Sequence, residues 1–166
     1  MAKAEWKKRK TLLIVGEGYH DVAFLNHVKQ FPGVCGHGVQ ISIKNARGKG
    51  ALGVIDHAIK LSANIDYDQV AVLLDTDTDW SPAAQKLAND HKIQVLPSDP
   101  CIEALLLRAI GKIPGAAKDL KKQFAPFVNN DPLQAKNYAD HFGLATLQGA
   151  RTGEKTIDQL LKLLGI

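Results

Sequence analysis

Five acidic residues stand where their chemistry can matter. Asp75, Asp77 and Asp79 follow one another at intervals of two in "VAVLLDTDTDWSP", directly behind an apolar run. Glu17 lies between two glycines in "LLIVGEGYHD", behind a second apolar run, and Glu103 lies in "DPCIEALLL". Carboxylates crowded this way repel one another, so a cation is the natural partner. In an extended chain Asp75 and Asp77 point the same way at roughly 6–7 Å, a span that holds one hard cation or brackets a pair about 4 Å apart. Oxygen-only ligands favour Mg²⁺ or Mn²⁺ over zinc, and the chemistry they suit is phosphoryl transfer. Each element also has a plainer reading: Asp75 as a turn cap, Glu17 favoured by a helix dipole, and Glu103 as an ordinary first-turn residue.

The elements that must position these residues follow from hydrophobic patterning. "TLLIV" reads as a strand, Gly16-Glu17-Gly18 as a tight turn, and Val22, Phe24, Leu25 and Val28 as a helix face. "VQISIK" alternates as a second strand, and "NARGKG" is a glycine-rich loop. The helix behind it sets Leu52, Ile55, Ala58 and Ile59 on one face. "VAVLL" is a strand buried on both faces. Ser81 and Pro82 open a helix, "KIQVLP" is a fourth strand, and Asp99-Pro100 leads into another helix. This alternation predicts an α/β fold with a mostly parallel sheet over residues 11–111. Helices over "GAAKDLKKQFAPFV", "DPLQAKNYADHF" and "TGEKTIDQLLKLL" predict a C-terminal helical extension, 112–166, packed on the sheet. In a parallel sheet all carboxyl ends of strands meet at one rim, where ligands bind. The topology therefore gathers Glu17, the aspartates and Glu103 on one edge.

Charge is uneven along the 166 residues. Residues 1–10 carry five Lys/Arg and one Glu, an expected basic tail; residues 11–103 carry seven basic and eleven acidic groups; residues 104–166 carry nine and five. An acidic block between basic ends suits a metal site beside surfaces that attract a polyanion. Arg47 and Lys49 in the glycine-rich loop are candidates to hold a phosphate ahead of a helix N-terminus. Cys35 and Cys101 match no zinc spacing or disulfide framework and read as reduced and buried. Of the six histidines only His20, bordering Glu17, stands near the candidate chemistry. No run approaches a membrane span, and the expected location is cytoplasmic.

These pieces together resemble the Toprim domain of topoisomerases, bacterial primases and OLD-type nucleases. "LLIVGEGYHDVAFL" and, about sixty residues on, "VAVLLDTDTDW" resemble its strand-ending glutamate and its DxD, each at the end of a strand and in the same order. "DPCIEALLL" is similar to a segment of small stand-alone Toprim-like proteins of the RloB kind. The similarity covers residues 11 to about 110. It implies a Rossmann-like three-layer sandwich and Mg²⁺-dependent cleavage of DNA or RNA phosphodiesters. By the same resemblance Glu17 is general acid or base and also touches metal, and Asp75 and Asp77 are metal ligands. Asp79 and Glu103 become further ligands or supports. Independently of the resemblance, Gly16, Gly18, Arg47 and Lys49 are candidate phosphate or nucleic-acid contacts in their glycine-containing loops. Topoisomerase tyrosine modules, zinc ribbons and ATPase domains are missing from the sequence. "VAVLLDTDT" also fits a haloacid-dehalogenase-type phosphatase, with Asp75 as nucleophile, Asp77 as general acid and Ser98 as a later motif. A non-catalytic nucleic-acid or partner-binding module on the same sheet is the third reading.

Overall fold

The computed structural model describes residues 9–34 and 38–166. Four strands, β1 (Lys10–Gly16), β2 (Val39–Asn45), β3 (Gln69–Asp75) and β4 (Ile93–Ser98), form one parallel sheet in the order β2-β1-β3-β4. The two continuous apolar runs, β1 and β3, occupy the centre. Leu12 to Val15 and Ala71 to Leu74 are all fully buried, because the sheet is covered on both faces. The alternating β2 and the shorter β4 form the edges.

Strand order dictates where the helices go. The chain steps one way from β1 to β2 and the other way from β2 to β3. Right-handed crossovers then require the two intervening helices to lie on opposite faces. Accordingly α1 (Tyr19–Lys29) packs with Leu12, Ile14, Ala71 and Leu73, whereas α2 (Gly50–Asn64) packs with Leu13, Val15, Val72 and Leu74. The step to β4 keeps the second direction, and α3 (Pro82–Asp90) joins α2. Ser81 caps α3 as expected, its Oγ accepting from the Ala84 amide at 3.2 Å. The last helix of the unit, α4 (Ile102–Ala109), returns to the face of α1. The result is the three-layer α/β sandwich that the alternation predicts.

Two local expectations are corrected. Helix α2 begins at Gly50, so its buried stripe runs Ala51, Val54, Ile55 and Ala58, and Leu52 stands 44% exposed off that stripe. Lys10, counted with the basic tail, opens β1. The rest of that tail, apart from Arg9, lies outside the described residues, as do Cys35 and His37; Cys101 is a buried free thiol.

Beyond residue 111 the chain forms α5 (Leu120–Phe124) between two 3-10 turns, then α6 (Leu144–Ala150) and α7 (Lys155–Leu163). The helix expected over 131–142 is only a 3-10 turn, Ala135–Tyr138. That segment folds around Tyr138, which is fully buried and donates its hydroxyl to the Pro132 carbonyl at 2.7 Å. Helix α6 shows no apolar periodicity, since Leu147 is its one buried residue. Tyr138 packs its ring against Phe24 of α1, Phe124 and Phe142, with centroids 5.8–6.3 Å apart. His27 reaches across from α1 to the Phe142 carbonyl at 2.7 Å, and burial holds its pKa below the usual histidine value. Residues from α5 onward thus share one core with α1 and α4. Among the described residues no helix is long and apolar enough to cross a membrane.

Candidate active site at the carboxyl rim of the sheet

The direction of chain progression reverses between β1 and β3, and a crevice at such a switch point is where parallel sheets bind ligands. Glu17 is the first residue past β1. Its amide donates to the Leu73 carbonyl at 3.0 Å, and its Oε2 accepts from the Asp75 amide at 2.7 Å. Asp75 in turn ends β3, and its Oδ1 accepts from the Ile102 amide at 3.1 Å. That bond caps α4, whose own flanking residue, Cys101, supplies no side-chain cap. Glu17, Asp75 and the α4 N-terminus are therefore fastened in series.

After Asp75 the chain bends instead of running on as a strand. The Thr76 and Asp77 amides both donate to the Pro100 carbonyl, at 3.0 and 3.1 Å. Asp77 nevertheless faces the same crevice. A cavity of about 350 Å³ is lined by Glu17, Asp21, Asp75, Asp77 and Glu103, with His20, Cys101 and, from α5, Lys121. Three strand ends thus deliver carboxyl groups to one space.

Asp21 is the carboxylate that sequence reading missed. It lies four residues past Glu17, in the first turn of α1, and is 4% exposed. One oxygen accepts from the Gly18 amide at 3.0 Å; the other, Oδ1, is buried without a partner. The available signal was its spacing in "GEGYHD", where an acid one helical turn past Glu17 returns to the same end of α1. Lys121 had no such signal, because only tertiary packing of α5 brings it here. His20, singled out for its place beside Glu17, pairs instead with Glu103, Nδ1 to Oε1 at 3.2 Å.

The electrostatics follow from this crowding. Burial, then the charges of Asp21, Glu17, Glu103 and Asp77, push the Asp75 carboxyl up to about 8. Burial, then Glu17 and Glu103, raise Asp21 to about 7 against the opposing Gly18 amide. Glu17 is raised as well, by burial first and by Asp77 and Asp79 after it, although the Asp75 amide favours its charged form. Glu103 goes the other way. Burial is its largest single influence, yet the His20 ring, its own amide and the Cys101 thiol together hold it below the usual glutamate value. The same surroundings drive the Cys101 thiol up to about 12, burial leading.

Such a set, crowded and half-desolvated with one orphaned buried oxygen, fits a hard divalent cation by donor chemistry. Among the described residues no three His, Cys, Asp or Glu side chains are already disposed to hold a metal ion.

The remaining expected site residues divide between the cavity and its surroundings. Asp79 does not line the cavity; its Oδ1 accepts from the Ala51 amide at 2.6 Å and from the Thr78 hydroxyl at 3.2 Å, capping α2 from outside. The amide bond lowers its pKa. Gly16 is buried, and a Cβ there would stand 2.9 Å from the Cβ of Asp21, so this glycine lets α1 approach the end of β1. Gly18 lines the cavity and precedes α1. Arg47 and Lys49 line an adjoining recess; of their loop only Gly48 reaches the acidic cavity. Ser98, the register partner of Asp75, is wholly buried with its hydroxyl unpartnered and does not face the cavity. Set against protein-family models, curated proteins and solved structures, the chain matches none.

Proposed function

We propose that the chain is a divalent-metal-dependent nuclease of the Toprim kind, hydrolysing DNA or RNA phosphodiesters in the cytoplasm. The observation that carries this reading is the convergence of Glu17, Asp75, Asp77 and Glu103, from three separate strand ends, on one cavity. Asp75 and Asp77, with Glu17 beside them, would hold Mg²⁺ or Mn²⁺. When bound, the ion supplies charge neutralisation at the phosphate and a more acidic water. Glu17 keeps one oxygen on the Asp75 amide and offers the other to the cavity. Its raised proton affinity suits a group that takes a proton from the attacking water. His20 keeps Glu103 oriented, and Lys121, Arg47 and Lys49 supply positive charge for the nucleic-acid backbone.

The phosphatase alternative is less well supported. Its nucleophile, Asp75, has one oxygen committed to the α4 amide, and the serine it needs at the phosphate, Ser98, is sealed from solvent. The test is cleavage of labelled single- and double-stranded DNA and RNA with Mg²⁺ or Mn²⁺. Glu17→Gln and Asp77→Asn should each lower the rate by orders of magnitude while leaving the fold intact. Full activity in both variants overturns the assignment. Hydrolysis of a small phosphomonoester, with beryllofluoride trapped on Asp75, transfers it to the phosphatase. Binding that ignores Mg²⁺, without cleavage, transfers it to the binding module.

A further inference from the structure

Beside the acidic cavity, across the loop that follows β2, lies a second recess of about 350 Å³ lined by Lys44, Asn45, Ala46, Arg47, Lys49 and His57. Its charge is of one sign. No carboxylate lines it, and among the described residues Lys44, Arg47 and Lys49 make no ion pair. Asp56, the acid of α2, feels the charges of Lys49 and His57 but is itself bound to Lys60 at 2.8 Å.

The recess is built in its backbone as well as in its charges. Arg47 holds a left-handed conformation, φ 60°, which costs a non-glycine residue roughly 1 kcal/mol or more. The Asn45 side chain supports it by accepting from the Arg47 amide at 2.8 Å. Glycines with φ near +70° stand on either side of Lys49, at positions 48 and 50. Gly53 and His57 stand one helical turn apart on one face of α2, and the turn before the helix sets Lys49 over Gly53. A Cβ on Gly53 would overlap the Cβ of Lys49. A mid-helix glycine destabilises a helix relative to alanine; here it leaves room for the lysine.

We infer that this recess is a phosphate-binding site, distinct from the carboxylate cavity, that takes the terminal phosphate of a nucleic-acid strand. The charge count selects the terminal group. An internal phosphodiester carries one negative charge, a terminal phosphate nearly two, and three cations outside any ion pair, with a histidine, complement the second better. Gly48 borders the acidic cavity while its neighbours Arg47 and Lys49 line the recess. A strand anchored by its end therefore lies across the loop with nearby phosphates at the carboxylates. The inference rests on the nuclease reading only for the identity of the strand, and it makes that nuclease end-directed.

The experiment is fluorescence anisotropy in EDTA with three versions of one labelled single-stranded dodecamer, as DNA and as RNA. One carries a 5′-phosphate, one a 3′-phosphate and one neither. One end phosphate should tighten binding by about tenfold or more, as charge-assisted hydrogen bonds do, and the favoured end gives the polarity. Lys44→Ala/His57→Ala should reduce the gain to less than twofold, and so should Gly53→Ala, which displaces Lys49 without removing a charge. Equal binding of all three oligonucleotides to the unaltered protein overturns the inference without recourse to any variant. A gain that survives both variants at unchanged melting temperature also overturns it. End-phosphate preference without cleavage under any metal refutes the nuclease and keeps the recess; cleavage without that preference does the reverse.

Discussion

Replacing Asp21 by Asn tests the electrostatics of the crevice directly. Asn keeps an oxygen for the Gly18 amide and places an NH₂ where Oδ1 is now orphaned, near Glu17 and Glu103. Folding raises the Asp21 carboxyl from 3.8 to about 7. Below 3.8 both folded and unfolded chains hold the proton. Between 3.8 and 7 the folded chain keeps it while the unfolded chain has lost it, so stability falls as pH rises; above 7 the loss is complete. A change of that size corresponds to ~4 kcal/mol, which Asn never loses. The variant should match the parent near pH 4 and exceed it progressively to about pH 8. Removing the Asp21 charge also relieves Asp75, which acts in the same direction. For a chain of this length each kcal/mol shifts the melting temperature by roughly 3 °C, so the gap at pH 8 should approach about 12 °C. Thermal and urea unfolding at half-unit pH steps measure it, the difference curve reporting Asp21 together with its effect on Asp75. Millimolar Mg²⁺ should narrow the gap by neutralising the parent's cluster. Parallel stability curves for the two proteins from pH 5 to pH 8 would refute the reasoning.

Asp79→Ala removes the cap on α2 and should cost about 1 kcal/mol of stability while leaving metal-dependent cleavage within a few-fold of the parent. A loss of cleavage by orders of magnitude would return Asp79 to the metal site. Gly16→Ala forces a Cβ against Asp21 and Val22 at the start of α1 and should cost about 2 kcal/mol in a denaturant titration; a neutral result would show that α1 yields without strain.

The central sheet was legible because both central strands are continuous apolar runs long enough for their burial on two faces to dominate local propensity. The rim followed from topology alone, since parallel strands leave no choice of edge. Glu17, Asp75 and Asp77 were placed on that basis, and all three face one cavity. Asp79 does not line that cavity, because a spacing of two carries no information once the chain leaves the extended conformation at Thr76. Whether a rim carboxylate turns into the crevice or caps a neighbouring helix depends on contacts 28 residues away. Arg47 and Lys49 lie beside the cavity and not in it for the same reason. The C-terminal segment was least legible: around Tyr138 its order comes from aromatic stacking and single hydrogen bonds, neither of which leaves a period in the sequence.

All-parallel pairing has a consequence for how the chain reaches this state. No strand meets its partner through a hairpin; β1 pairs with β2 at a separation of 29 residues, and Leu12 of β1 meets Gln69 of β3 at 57. The pair that carries Glu17 and Asp75 is thus the one that closes the longest loop within the sheet. Loop closure must be met before such contacts reward it, and sheets of this kind fold slowly. The acidic crevice exists only where that long-range pair is made, because Glu17 and Asp75 leave its two strands. The repulsion among its carboxylates therefore weighs on the contact that already carries the cost of closing the longest loop in the sheet.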